Sequence, residues 1–220
     1  MNTNNNATTV VCFGDSNTFG QKPDDFGRFI ASQRWPGVLQ TELGGEYYVI
    51  EEGLGGRTTD IDNFEEHKPN KNGLSYFKSC IESHRPVNSI LIMLGTNDLK
   101  DEYVRSVEAI ADSLSQYHSA IKSMSSRRNL PMPEVVFISP SPLNADAPDY
   151  IRPNTARQFT EESAIKSKKL AGSIQQMAEN IGCYFLDSAQ CTNVGKDGVH
   201  IDISSHAALG KALASLVSKL

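Results

Sequence analysis

Three side chains in this 220-residue sequence are of the types that nucleophilic catalysis requires. Ser16 lies in the segment G-D-S-N-T-F-G, and the turn D-G-V-H places Asp197 three residues before His200. A hydroxyl nucleophile needs a base that takes its proton and a further group that orients the base. We therefore predict that Ser16 is a nucleophile, that His200 is its general base and that Asp197 holds the imidazole through its other nitrogen.

Hydrogen-bond donors for a developing oxyanion are also present. When a hydroxyl group attacks a carbonyl, negative charge develops on the carbonyl oxygen, and fixed N–H groups stabilise it. The segment E-G-L-G-G-R-T-T supplies the backbone N–H of Gly56, and L-G-T-N-D supplies the side-chain amide of Asn97. Glycine at position 56 would let a substrate approach that N–H. We predict that Gly56, Asn97 and the backbone N–H of Ser16 form an oxyanion hole.

Each of these segments has a simpler structural interpretation when it is taken alone. Gly-Asp-Ser and Asp-Gly are common in turns, Gly55-Gly56 is typical of a tight bend, and Asn97 could make an Asx turn. A single histidine near a helix start is more often a capping or surface residue. The catalytic interpretation is favoured because four such segments follow four predicted strands, where the simple explanations would have to coincide.

Five short apolar runs, rich in β-branched and aromatic residues, predict the strands that would carry these segments. Helical periodicity lies between the runs, and strands that alternate with helices form a parallel sheet covered on both faces. In such sheets ligands bind beyond the carboxyl ends of the strands. We predict one doubly wound α/β domain over residues 1–220. The predicted strands are residues 9–13, 47–50, 89–94, 134–138 and 183–186.

Three helices are predicted from apolar residues spaced by threes and fours. We expect serine at the start of the last helix and glycine after the end of its predecessor, since these residues favour the two kinds of cap. The predicted helices are residues 104–124, residues 159–180 followed by Gly182, and a helix that follows Ser204-Ser205 and whose leucine stripe reaches Leu220.

Composition and charge exclude several classes of partner. The chain is 39% hydrophobic and 21% charged, which is typical of a globular domain, and its net charge of −5 argues against a nucleic-acid partner. Apolar stretches such as residues 90–94 are too short for a membrane span of about 20 residues, and the first residues do not resemble a secretory signal. We therefore expect a cytoplasmic protein with no membrane partner.

The four cysteines are far apart, which predicts reduced, mostly buried thiols.

The sequence resembles a known family over essentially its whole length. Gly14-Asp15-Ser16, Gly56, Asn97 and the pair Asp197 and His200 match the four motif blocks of the SGNH hydrolases, also called GDSL esterases. The resemblance implies a flavodoxin-like, three-layer α/β/α sandwich. It also assigns the nucleophile, the base, the orienting acid and the three oxyanion donors to the residues named above. We expect neither a cofactor nor a metal.

Longer segments are similar to one group within that family. R-W-P-G-V-L at residues 34–39, E-E-G-L-G-G-R-T-T at 51–59 and I-M-L-G-T-N-D at 92–98 resemble bacterial arylesterases that include a transesterifying acyltransferase branch. This similarity implies a serine esterase that cleaves short-chain, acetyl-type acyl esters through an acyl-enzyme on Ser16. It further implies transesterification to alcohols as a second activity, and assembly into a homo-oligomer.

Two positions depart from the pattern of that group. Asn17 stands where the group usually has leucine, and Phe19 stands where it often has tryptophan. From these changes we expect a wall beside the nucleophile that is more polar on one side and smaller on the other.

The proline-rich residues 140–154 form the one irregular stretch of the chain, at about 15 residues. We expect them to form a rim of the site or a subunit contact, and we expect residues 34–39 to contribute to assembly. Tyr150, Ile151 and Phe159 could line the site or lie at such an interface.

Other functions are compatible with the same fold class. A flavodoxin-like module would bind a flavin phosphate through a loop after the first strand, but Phe19 stands where that loop needs glycine. A carbohydrate O-acetyl esterase would use the same machinery on a different alcohol. Acetate release from acetylated sugars and from aryl acetates distinguishes that enzyme from an arylesterase.

Overall fold

A parallel sheet lies between two layers of helices in the computed structural model, which describes residues 4–63, 67, 69–150 and 159–220. The strands are β1 (Thr8–Gly14), β2 (Tyr47–Gly53), β3 (Ser89–Met93), β4 (Glu134–Ile138) and β5 (Tyr184–Leu186). Their order across the sheet is β2-β1-β3-β4-β5, and every neighbouring pair is parallel. The prediction of a three-layer α/β/α fold with five parallel strands is confirmed.

Helices connect the strands and cover both faces of the sheet. None of the helices in the described ranges combines the length and the apolar character that a bilayer span needs. The helices are α1 (Ser16–Phe19), α2 (Trp35–Leu43), α3 (Gly73–Ser83), α4 (Val107–Arg128), α5 (Glu161–Ile181) and α6 (Ile203–Val217).

Side chains of the inner strands alternate between two apolar cores, one on each face of the sheet. In β1, Val11 and Phe13 belong to the core beneath α3, α4 and α5, whereas Val10 and Cys12 belong to the core beneath α2 and α6. A strand that is buried on both faces needs apolar residues at every position. Polar residues are therefore confined to the strand ends, where the candidate catalytic segments lie.

The predicted start of α4 is wrong by three residues. Ser106 accepts a hydrogen bond from the N–H of Ala109 and so caps a helix that begins at Val107. Val104 lies before the cap with a φ of 46° and is 88% exposed. Its apolar side chain therefore does not belong to the helical stripe.

The cap of α6 also differs from the prediction. Asp202, not Ser204 or Ser205, is the capping residue, and its carboxylate accepts a hydrogen bond from the N–H of Ser205 at 2.7 Å. The helix ends at Val217, so Leu220 lies beyond it. For α5 the predicted Gly182 cap is confirmed, with a φ of 70°.

Three helices, α1, α2 and α3, were not predicted, and α2 shows how residues 34–39 are used. Trp35 and Leu39 are fully buried within the chain's own core, and α2 packs against α6. Arg34 is buried as well and donates to Glu51 on β2. This stretch therefore contributes to the fold of its own chain.

His206 on α6 is a buried histidine that holds the start of α2. Its Nδ1 accepts a hydrogen bond from the backbone N–H of Trp35 at 3.2 Å, and its ring packs edge-on against Phe29. Burial is the main cause that lowers the pKa of His206 to about 3. In the folded protein this imidazole is therefore neutral at pH 5 to 7, whereas in the unfolded chain it takes a proton near pH 6.5.

The first prediction concerns the pH dependence of stability. Because the unfolded chain binds a proton that native His206 does not, the free energy of unfolding should fall as the pH drops below about 6.5. His206→Asn keeps an acceptor for Trp35 and does not titrate, so its loss of stability between pH 7 and pH 5 should be smaller by about 2 kcal/mol. Urea unfolding of both proteins at the two pH values measures this difference. Equal losses would contradict a neutral, buried His206.

Candidate active site

Ser16 occupies the first position of the short helix α1, directly beyond the carboxyl end of β1. The Asp15 carboxylate accepts a hydrogen bond from the N–H of Asn17 at 2.9 Å and caps the helix. Gly20 ends the helix, and its N–H donates to the carbonyl of Ser16. These caps fix the backbone on both sides of the serine, so its hydroxyl is presented from a defined position at the edge of the sheet.

The structure brings Ser16, His200 and Asp197 together in one line of hydrogen bonds. The Ser16 Oγ lies 2.9 Å from Nε2 of His200, and Nδ1 of His200 lies 2.6 Å from Oδ2 of Asp197. All three side chains are buried, and 184 residues separate the serine from the histidine. This arrangement allows the imidazole to take the serine proton while the carboxylate fixes the ring.

Asp197 is held in its ionised form by the turn that contains it. Its Oδ1 accepts hydrogen bonds from the backbone N–H groups of Val199 and His200, both at 2.9 Å. Burial by itself would raise the pKa of Asp197, but the hydrogen bond and charge of the His200 ring and the two N–H groups outweigh it and lower that pKa. The carboxylate can therefore stabilise an imidazolium when one forms.

Gly198 allows this turn to form. Its φ of 68° lies in the left-handed region, and a Cβ at this position would lie 2.3 Å from the carbonyl oxygen of Asn144. The N–H of Asn144 donates back to the carbonyl of Gly198 at 3.0 Å. The D-G-V-H turn is thus packed directly against the segment that follows β4.

Residues 140–150, part of the stretch expected to form a rim or a subunit contact, support this turn from within the chain. Leu143 and Tyr150 are buried in the core beneath α4 and α5, and the Tyr150 hydroxyl donates to the carbonyl of Thr160. Phe159 is buried in the same core, so neither aromatic ring lines a rim. Residues 151–154, with the candidate Ile151, lie outside the described residues.

Asn97 and Gly56 lie side by side in the two loops that follow β3 and β2. One N–H of the Asn97 amide donates to the carbonyl of Arg57 at 3.1 Å, which leaves the second N–H of the same amide for another acceptor. Gly56 adopts a φ of 80°, and a Cβ there would meet only Lys71, at 3.7 Å. The positive φ therefore requires glycine at this position whether or not a substrate is bound.

The predicted backbone donors have no partner within the described part of the chain: neither the N–H of Ser16 nor that of Gly56 has a hydrogen-bond acceptor there. The loop that carries Gly56 is fixed to the nucleophile strand, because Leu54 N–H and the Arg57 guanidinium both donate to the carbonyl of Gly14. The three predicted oxyanion donors thus lie on connected backbone, and each has an N–H available.

A buried carboxylate, Asp98, joins these two loops from behind. It accepts hydrogen bonds from the backbone N–H and the hydroxyl of Thr59, and it forms an ion pair with Arg105 at 2.9 Å. Burial raises the pKa of Asp98 to about 6, against the lowering effects of Thr59 and Arg105. Among the described residues, none of its hydrogen bonds reaches a triad residue, and those to Thr59 tie the loop that carries Asn97 to the loop after β2.

Asn17 does not form the polar wall that its sequence position suggested. Its side chain is 2% exposed and turns towards the His200 segment, where it bonds to the backbone of Val199 and Ile201. Phe19 is half-buried beneath the guanidinium of Arg28. The contacts of Asn17 and of the Asp98–Arg105 pair were missed from the sequence. The only sequence feature that could have indicated these contacts is the unusual residue type at position 17.

One cluster of side chains with metal-ligand chemistry occurs among the described residues. The ligand atoms of Glu52, Cys80 and His84 lie within 4.8 Å of one another. Nε2 of His84 is 2.6 Å from Oε1 of Glu52, and burial raises the pKa of the Cys80 thiol to about 12. A metal would need the thiolate, so these contacts favour a hydrogen-bonded cluster.

Several known proteins are similar to this chain over most of its length. A family model described as GDSL-like Lipase/Acylhydrolase matches residues 10–213. The solved structure of an M. smegmatis aryl esterase is 36% identical, with a TM-score of 0.88 and coverage of 97% of this chain and 100% of that chain. The structure of Est24, described as a carbohydrate acetylesterase from Sinorhizobium meliloti, is 32% identical, with a TM-score of 0.87 and coverage of 96% and 99%.

A further similarity covers only part of the chain. A Bacillus subtilis (strain 168) protein named uncharacterized lipoprotein YqeF is 32% identical over 89 residues, which is 40% of this chain. The match spans 31% of the length of that relative. A similarity of this extent says little about the active site of this chain.

The second prediction concerns Asn97. If its free N–H meets charge that exists mainly in the transition state, Asn97→Ala should lower kcat for an aryl acetate by about 100- to 1000-fold and change KM little. Asn97→Asp keeps the size of the side chain but has no N–H when ionised, so it should lose a similar factor. Steady-state kinetics of both variants test this. An unchanged kcat in both would remove Asn97 from the oxyanion hole.

Proposed function

The chain belongs to the GDSL-like lipase/acylhydrolase family, and we propose that it is a serine esterase that cleaves short-chain acyl esters through an acyl-enzyme on Ser16. The observation that carries this proposal is the line of hydrogen bonds from Ser16 through His200 to Asp197. Serine supplies a hydroxyl nucleophile, histidine a base for its proton, and aspartate a carboxylate that orients the base.

In the proposed reaction, Ser16 Oγ attacks the ester carbonyl carbon while its proton moves to Nε2 of His200. The new C–O bond gives a tetrahedral intermediate, and the C–O bond to the alcohol then breaks. The leaving alkoxide takes the proton from His200, so the alcohol departs neutral and Ser16 carries the acyl group. A water molecule repeats the sequence and gives up a proton to His200 when it attacks. The C–O bond to Ser16 Oγ then breaks, Oγ takes the proton back from His200, and the acid is released.

The oxyanion donors act in both tetrahedral intermediates. The free N–H groups of Ser16 and Gly56 and the second N–H of Asn97 would bind the oxygen that gains charge. Because these donors are held by the backbone and by Arg57, little reorganisation is needed when the charge develops. The loss of one such donor typically costs about 2.7 to 4 kcal/mol in the barrier.

Two observations support a short acyl group. Ser16 and Asn97 are only 5% and 6% exposed, so neighbouring residues cover both side chains closely. The two fully covered relatives are an aryl esterase and a carbohydrate acetylesterase, and the second one is named for removal of an acetyl group. We infer that acetyl-type esters fit this site better than long-chain esters.

The alcohol half of the substrate has two candidates. The aryl esterase relative favours an aryl or simple alkyl alcohol, and the acetylesterase relative favours an acetylated carbohydrate. The acid–base steps are identical in the two cases, since only the leaving group differs. Transesterification is part of the proposal, because an alcohol that replaces water in the second attack yields a new ester.

A non-catalytic flavin-binding module is a weaker candidate for this fold. Such a module needs free backbone N–H groups after β1 to hold a phosphate. Here the N–H of Phe19 donates to the carbonyl of Asp15 at 2.9 Å, and Asn17 N–H donates to the Asp15 carboxylate. Two of the amides that would hold the phosphate are therefore used inside α1.

The organisation of the protein completes the proposal. We propose that residues 1–220 act as a single domain, with no nucleic-acid or membrane partner and without a cofactor. Assembly into a homo-oligomer stays a prediction.

The third prediction tests the nucleophile. Ser16→Ala should abolish nearly all ester hydrolysis while the circular dichroism spectrum stays unchanged, since a nucleophile usually contributes several powers of ten to kcat. An organophosphate should label Ser16 in the wild-type protein, with loss of activity. Ser119→Ala, an exposed serine on α4, is the matched control and should keep full activity. More than about a hundredth of the wild-type kcat in Ser16→Ala would contradict an acyl-enzyme on this residue.

The fourth prediction tests the substrate class. With aryl esters from acetate to dodecanoate, kcat/KM should be greatest for the shortest chains and should fall steadily as the chain lengthens. Acetate release from acetylated sugars, measured at the same enzyme concentration, decides between the two alcohols. A maximum at a long chain would overturn the inference of a small acyl pocket, whereas a preference for acetylated sugars would identify a carbohydrate esterase.

A further inference from the structure

We propose that Asn17 is a positioning residue for the catalytic base: its side-chain amide holds the backbone on both sides of His200 and so fixes the imidazole against Ser16. This inference rests on the proposed function and adds to it a residue outside the triad and the oxyanion hole.

The geometry that carries the proposal is a double contact. Oδ1 of Asn17 accepts a hydrogen bond from the backbone N–H of Ile201 at 3.0 Å. Nδ2 of the same amide donates to the backbone carbonyl of Val199 at 3.4 Å. Val199 and Ile201 are the two neighbours of His200 in the sequence, so one side chain holds the peptide groups before and after the base.

The amide is itself fixed relative to the nucleophile. Asn17 follows Ser16 in α1, and its backbone N–H donates to the carboxylate that caps the helix. The position of the serine and the position of the histidine backbone are therefore set by adjacent residues of one short helix. Without this contact, the 2.9 Å distance from Ser16 Oγ to His200 Nε2 would depend on the bonds of His200 to Asp197 and on the packing of its turn.

The buried environment makes the contact specific for an amide. Asn17 and Ile201 are 2% and 1% exposed, and the antiparallel bridge between Val194 and Ile201 gives the Ile201 N–H no other acceptor among the described residues. A buried N–H that loses its acceptor is costly. Leucine, similar to asparagine in size, offers neither the acceptor nor the donor, so the backbone around His200 would have to move to find new partners.

A role for Asn17 in substrate binding agrees less well with these contacts. Both polar atoms of its amide are bound to backbone groups, and its side chain is almost fully covered. A residue that binds substrate would alter KM when it is replaced, whereas a residue that positions the base would alter the rate of proton transfer and hence kcat.

The fifth prediction compares Asn17→Leu and Asn17→Ala with the wild-type protein. For aryl acetate hydrolysis, kcat should fall on the order of 10- to 100-fold in both variants, because small misplacements of catalytic groups have effects of this size. KM should stay within about twofold of the wild-type value. The rate at which an organophosphate labels Ser16 should fall by the same factor as kcat, since both reactions need the serine proton to move to His200. Asn180→Leu, an exposed residue at the end of α5, is the control and should leave both rates unchanged.

Several outcomes would overturn the proposal. A kcat within threefold of the wild-type value, in either variant that folds, would show that His200 does not need this contact. A raised KM with an unchanged kcat would make Asn17 a substrate contact. If Asn17→Leu does not give the wild-type circular dichroism spectrum, the smaller Asn17→Ala decides. Failure of the proposed function has a separate signature, because the wild-type protein itself would then neither hydrolyse esters nor be labelled at Ser16.

Discussion

The buried carboxylate of Asp197 is the constraint on which the site depends. An ionised carboxylate with no exposure is costly unless hydrogen bonds replace its water, and this one obtains them from the His200 ring and from two backbone N–H groups of its own turn. The same contacts that stabilise the charge fix the direction of the imidazole. The left-handed Gly198 is needed to close the turn, and the segment after β4 is needed to cover it. Much of the fold beyond the carboxyl edge of the sheet thus serves to keep one charge buried and ionised.

A second buried carboxylate has a different function in the same region. Asp98 is paired with Arg105 and bound to Thr59, so it links the loops that follow β2 and β3. The pKa of Asp98 is raised because burial outweighs its hydrogen bonds and its ion pair, whereas the pKa of Asp197 is lowered because the hydrogen bonds and the charge of His200 outweigh burial. Asn97 precedes Asp98 in the sequence and lies in the loop that this link holds. One carboxylate therefore orients the base and the other supports the oxyanion side, and only the first is in contact with a reacting group.

The sheet and the candidate catalytic residues could be predicted from the sequence because both depend on local patterns. A strand buried on both faces is a continuous apolar run. Ser16, Gly56 and Asn97 lie shortly after strands, and the D-G-V-H turn lies between β5 and α6. The starts of α4 and α6 were misplaced because a capping side chain, not the apolar stripe, decides where a helix begins. The role of Asn17 could not be predicted at all. Its partners lie 182 and 184 residues away, and no local pattern reports a contact of that kind.

The two sides of the site follow opposite rules for buried polar groups. On the acid–base side, every polar atom of Asp197 and of the His200 ring has a partner. On the oxyanion side, within the described residues, the N–H groups of Ser16 and Gly56 are left without one. An unsatisfied buried donor costs about 1 to 3 kcal/mol, and a carbonyl oxygen that gains charge is the acceptor that such donors would bind most strongly. In the proposed reaction these two amides gain an acceptor when negative charge develops between them, and a difference of this kind between ground state and transition state is what lowers a barrier.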